Sequence, residues 1–133
     1  MAHTIQESAE RSPFKTVEVD SASFTVGTEA ANVINVAIQL KNGGDLIIRG
    51  GVFGYLSDDA NGDSIAASAP SGGIAIGTDG LAIPVVANKA FQLVSESDGD
   101  IDIDITEVGT ATWWFVLILP SGELVVSGGI VFA

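Results

Sequence analysis

An all-β sandwich of two antiparallel sheets is the fold that this sequence predicts, and three features argue for it. From Thr16 onward short runs of Val, Ile, Leu and Phe alternate with clusters of Gly, Asp, Asn and Ser, at roughly the 8–12-residue spacing of strands and turns. No segment sustains the apolar repeat of a helix, so crossover helices are missing and the strands must pair antiparallel. Sixteen glycines and 47% hydrophobic residues, against 17% charged, give a chain rich in strand formers and turn residues. At 133 residues one domain can bury about two-thirds of its unfolded surface, and no second domain is needed.

The elements follow in order. Residues 1–15 are polar, with a helix-like stretch around Ile5 that ends before Pro13; it is too short to persist alone in water and reads as an arm. The sandwich domain is predicted over residues 16–133. Its first segment, residues 16–26, breaks near Asp20-Ser21. Residues 32–41 place Val33, Ile34, Val36, Ile38 and Leu40 close to strict alternation, and Asn42-Gly43-Gly44-Asp45 turns the chain. Residues 46–56 read as a strand with a bulge site at Gly50-Gly51. A turn-rich stretch, residues 57–73, follows. Residues 74–76, 81–86, 90–95 and 101–106 are further strands, the first two separated by Gly77-Thr78-Asp79-Gly80. A turn at Glu107-Val108-Gly109 leads to residues 112–119, and Pro120-Ser121-Gly122 makes a hairpin with residues 123–132.

Seventeen acidic residues against five basic ones give a net charge of −12. Glu7 and Glu10 balance Arg11 and Lys15, so the excess lies beyond the arm, where Lys41, Arg49 and Lys89 are the only cations. Such a surface repels phosphate backbones and anionic lipid headgroups, which argues against nucleic-acid and membrane partners and for a basic surface or a metal cation. Cysteine is absent, which excludes disulfides, thiolate zinc sites and a Cys nucleophile. The start of the chain lacks the basic and apolar regions of a signal peptide, and the longest apolar run, residues 113–119, is too short to cross a bilayer; synthesis in the cytoplasm is the expectation.

Three constellations bear on chemistry. Asp59, Asn61 and Asp63 are spaced like the opening of a calcium loop, but Ser64 and Pro70 occupy the positions where an EF-hand needs Gly and Glu. The stretch is a solvated Asx-rich turn or, alternatively, a weak calcium site that borrows a distant carboxylate. Asp98, Asp100, Asp102 and Asp104 alternate with Ile101, Ile103 and Ile105, which places the acids on the wet face of a half-buried strand. A general acid needs surroundings that raise its pKa, and an open sheet face offers little of that. The single histidine, His3, lies in the arm, so no histidine-based triad or metal site can be built on the scaffold. Gly-rich pieces match no phosphate-binding fingerprint. No enzyme and no cofactor is expected.

The third constellation is Trp113-Trp114-Phe115-Val116-Leu117-Ile118-Leu119, apolar at every position where a strand with one wet face should alternate. One face meets the opposing sheet; the other needs cover by a loop such as residues 57–73, by the arm, or by another molecule. Trp113, Trp114, Phe115 and Leu117 are therefore candidate partner-binding residues, since aromatic anchors are favoured at protein interfaces.

The last third, with its acidic strand, the Gly-containing turn and the early tryptophans of residues 113–114, resembles the closing E, F and G strands of immunoglobulin-like sandwiches. That resemblance implies an immunoglobulin-like Greek key, with a jelly roll as the alternative. No Tyr ties the corner and no Cys pair bridges the sheets. In overall style the chain is similar to structural proteins of tailed-bacteriophage virions, most of all head decoration, or cement, proteins: a small, Cys-free, acidic sandwich with an N-terminal arm. The resemblance implies a non-enzymatic protein of the virion that binds the major capsid protein of the assembled shell and associates with itself as a homo-oligomer. It implies that the arm, with Ile5 and Phe14, clamps neighbouring shell subunits. A tail or fibre component, or a calcium-assisted adhesion or carbohydrate-binding module, is the alternative.

Overall fold

The computed structural model describes residues 18–133; the arm, with His3, Ile5 and Phe14, lies outside the described residues. Among those described, the strands in order are β1 (Ser21–Val26), β2 (Val33–Lys41), β3 (Gly51–Ser57), β4 (Gly73–Ile76), β5 (Leu81–Val86), β6 (Ala90–Val94), β7 (Asp100–Thr106), β8 (Ala111–Ile118), β9 (Leu124–Val126) and β10 (Ile130–Phe132). They form the predicted β-sandwich. One sheet has four strands in the order β1-β2-β7-β4; the other has six, β10-β8-β3-β6-β5, with β9 also paired to β8. These orders correspond to the A-B-E-D and G-F-C sheets of an immunoglobulin domain. One departure stands out: the β5–β6 hairpin follows the strand in the D position and extends the larger sheet outward from β3.

Alternation decides which side chains meet between the sheets. Along β2 and β7 every second residue is buried, so Ile34, Val36, Ile38 and Leu40 join Ile101, Ile103 and Ile105 against Leu56, Leu93, Phe115 and Leu117 of the other sheet. Phe115 fits because β3 carries Gly54 beneath it: a Cβ there would lie 2.8 Å from Phe115 Cε2 and 2.9 Å from Leu93 Cδ1. Trp113 packs edge-to-face on Phe132, with ring centroids 6.0 Å apart.

Two predicted strands differ from the structure, each for a backbone reason. Residues 46–49 are not a strand, because the chain there crosses from the smaller sheet to the larger one. Leu46 is buried while Ile47 is 84% exposed. Gly50 is accordingly not a bulge but a tight passage, where a Cβ would lie 2.5 Å from Leu46 Cδ1. Residues 123–132 divide into β9 and β10 at Ser127. There the Ser127 hydroxyl accepts the Phe115 N–H at 2.9 Å, taking the place of a ladder carbonyl, while the Ser127 N–H donates to the Phe115 carbonyl at 2.9 Å.

Candidate functional site

The two outer faces of the sandwich differ in kind. On the four-stranded sheet the outward positions are mostly polar, Val33, Ala37 and Ala75 apart: Ser23 stands opposite Gln39, Gln39 opposite Asp100, and Asn35 opposite Asp104. On the six-stranded sheet they are mostly apolar, with Gln92, Ser57 and Thr112 as polar exceptions. Register lines up Ile83, Gln92, Phe53, Ile118 and Leu124 in one row running from β5 to β9. A second row sets Val86, Ala90, Tyr55, Val116 and Val126 side by side. Neither row contains a charge, in a chain whose net charge is −12.

Cover is uneven across this face. The loop after β3 folds back over the second row: Tyr55 Oη donates to the Gly62 carbonyl, and a Cβ on Gly62 would lie 3.1 Å from Val116 Cγ2. Val116 is thereby fully buried. The first row is open at its ends, with Ile83 48% and Leu124 39% exposed and Leu81 beside Ile83 at 50%, and half-buried between them at Gln92, Phe53 and Ile118. Between loop and sheet lies a cleft of about 270 Å³ lined by Phe53, Tyr55, Ile65 and Val86 together with the polar Asp63 and Ser64. Such a cleft suits the insertion of an apolar side chain from another molecule.

The residues singled out in the sequence divide across the two sides of β8. Trp113, Phe115 and Leu117 point inward and are buried in the core, so their apolar character is spent on the sandwich. Trp114 points outward opposite Ser57 and is half-buried. The outward flank of residues 113–119 is covered by the chain's own loop at Val116 and half-buried at Ile118. Phe53, Ile83, Leu81 and Leu124 were missed. For Leu81, Ile83 and Phe53 the signal was present: Leu81-Ala-Ile-Pro-Val-Val and Val52-Phe-Gly-Tyr-Leu carry no charged residue at either strand parity, as residues 113–119 do not.

The Asp row forms part of a hydrogen-bonded frame. Asn35 Nδ2 donates to Asp102 Oδ2 at 3.0 Å and to Asp104 Oδ1 at 2.8 Å. Asp102 also accepts the Thr78 and Asp79 N–H groups at 2.9 and 2.7 Å. Burial pulls its pKa up, yet the bonds from Asp79, Thr78 and Asn35 outweigh it and hold the carboxylate below its usual value. Asp100 is shifted the other way, by burial first and then by Asp98, Asp79 and Asp45. A groove of about 480 Å³ beside Asp104 is lined by Val33, Ser71, Asn88 and Thr106, and Asp104 is the one ionisable side chain on it.

In the Asx-rich loop, Asp59 Oδ2 accepts the Asp63 N–H at 3.1 Å, and Asp58 Oδ2 accepts the Ala67 N–H at 2.7 Å. These are turn-closing bonds within the loop. Among the described residues no three His, Cys, Asp or Glu side chains gather as metal ligands would. No family model matches the chain, and no curated protein matches it.

Proposed function

We propose that this protein is a non-enzymatic structural component of a tailed-bacteriophage particle, a decoration protein that binds and stabilises the assembled capsid shell. It seats the outer face of the six-stranded sheet on the major capsid protein and on neighbouring copies of itself. The observation that carries the reading is the charge-free row Ile83, Gln92, Phe53, Ile118 and Leu124, whose only polar member turns its amide onto the Val52 carbonyl at 3.3 Å. A contiguous apolar face on so acidic a chain marks an interaction surface. Binding to the shell stabilises it by mass action, and many weakly held copies act together by avidity.

The test uses particles produced in the presence of the wild-type chain or of a Phe53→Asp/Ile83→Asp variant, purified on density gradients. The wild type is expected to co-sediment with filled shells in many copies per particle. The variant, folded by circular dichroism, is expected to stay at the top of the gradient. Wild-type protein that never associates with shells, or a folded variant that associates equally well, overturns the reading. The immunoglobulin strand order serves a tail or fibre component equally, and a copy number of only a few per particle would assign the chain there.

A further inference from the structure

We infer that Asn42 is a site of spontaneous deamidation, and that its conversion to aspartate or isoaspartate loosens the start of β1. The chain has two Asn-Gly pairs, Asn42-Gly43 and Asn61-Gly62, and the fold treats them in opposite ways. Deamidation begins when the backbone nitrogen of the following residue attacks the Asn side-chain carbonyl carbon. Glycine favours this step because no side chain hinders the approach.

At the first pair the attacking nitrogen is loosely held, although the Asn42 N–H donates to the Gly44 carbonyl at 2.8 Å. Asn42 and Gly43 are both exposed, in the turn between β2 and residue 46, and a Cβ on Gly43 would meet nothing within 4 Å. Among the described residues the Gly43 N–H reaches only Asp20 Oδ1, at 3.3 Å, longer than an ordinary N–H···O bond. At the second pair the nitrogen is held. Gly62 is buried, its N–H donates to the Asp59 carbonyl at 3.0 Å, and its carbonyl accepts the Tyr55 hydroxyl. The rotation that brings Gly62 N onto Asn61 Cγ would break both bonds and pull the loop off Val116.

The step balances without any co-reactant beyond water. Gly43 N bonds to Asn42 Cγ and its proton passes through solvent to the amide nitrogen; the Cγ–Nδ2 bond breaks and that nitrogen leaves as ammonia. Water then opens the cyclic imide at either carbonyl, giving aspartate or isoaspartate.

The product disturbs a specific contact. Asn42 Nδ2 donates to the Glu18 carbonyl, and this contact, with the Asp20 N–H on the Lys41 carbonyl at 2.9 Å, ties the segment entering β1 to the turn. Conversion replaces the donor with a carboxylate facing that carbonyl, next to Asp20. An isoaspartate also adds a methylene to the backbone of a tight turn.

The experiment incubates the folded protein in warm, mildly alkaline buffer and follows both sites by peptide mapping, with an isoaspartate-specific methyltransferase as the label. A parallel sample in urea gives the unfolded rates. Conversion at Asn42 with Asn61 retained in the folded sample, and conversion at both in urea, is the expected result. Equal conversion of the two in the folded protein, conversion at Asn61 first, or none at Asn42 overturns the assignment. Hydrogen exchange on Asn42→Asp tests the consequence: protection of the Asp20 N–H is expected to be lost while β7 and β8 stay protected. An unchanged Asp20 N–H overturns the loosening.

Discussion

Asp79 and Asp102 hold each other by two hydrogen bonds of opposite direction: the Asp79 N–H donates to Asp102 Oδ1 at 2.7 Å, and the Asp102 N–H donates to the Asp79 carbonyl at 3.0 Å. The pair fixes the turn by which the chain leaves β4 in one sheet for β5 in the other. A row of aspartates that reads as a repulsive wet face is thus, at its middle, a clamp.

Asp102→Ala leaves two backbone donors to water. Because the site is half-buried and each charged bond is worth at most about 1.5–3 kcal/mol, a loss of about 2 kcal/mol is expected. Urea unfolding reads it as a lower midpoint at unchanged slope. The pH dependence has a definite sign. Since folding lowers the Asp102 pKa, its contribution is present above the ordinary value of 3.8 and is lost as pH falls through the folded value. The gap between wild type and Asp102→Asn should therefore close in acid.

Asp100→Asn should act in the opposite sense. Burial, then Asp98, Asp79 and Asp45, raise the Asp100 pKa, so its ionisation opposes folding once the pH exceeds 3.8. The variant is expected to unfold at higher urea near neutrality, by no more than about 0.5 kcal/mol at a half-buried position on the sheet surface. The gain should shrink with added salt and vanish below pH 3.8.

The two sides of β8 separate by truncation. Phe115, fully buried in the core, should cost about 3–5 kcal/mol as Phe115→Ala. Trp114→Ala, on the half-open side, should cost about 1 kcal/mol. Thermal unfolding of the two variants compares them directly, and equal losses would contradict the inward and outward assignment.

Gly54→Ala tests the fit of the sheets. The added methyl falls within 3 Å of Phe115 Cε2 and Leu93 Cδ1, both in the tightly packed interior, and overpacking of this kind costs about 1–3 kcal/mol. The expected readout is a lower melting temperature with unchanged near-native circular dichroism.

Alternation made the sheets legible in the sequence. Val36, Ile38 and Leu40 in β2 and Ile101, Ile103 and Ile105 in β7 declare which side is inward, and all six are buried. Turn chemistry was less decisive. Nothing in Leu46-Ile47-Ile48 distinguishes a strand from a crossing between sheets, because both bury one Leu and differ only in where the next strand pairs. The break at Ser127 depends on a side-chain hydroxyl replacing a backbone acceptor, which no apolar pattern signals. The candidate face was half legible. Residues 113–119 show their excess of apolar character locally, but the row from Ile83 to Leu124 exists only once β5, β6, β3, β8 and β9 are set in register, an order that no local window contains.

Under the proposed function, the contrast between the two outer faces would give the molecule a built-in orientation on the surface that it coats. A copy seated on its greasy side turns Asp100, Asp102 and Asp104 to the bulk solvent. A particle tiled with such copies would acquire a dense negative coat without any change to its own subunits. It would migrate faster toward the anode, and at low ionic strength it would resist clumping with its neighbours.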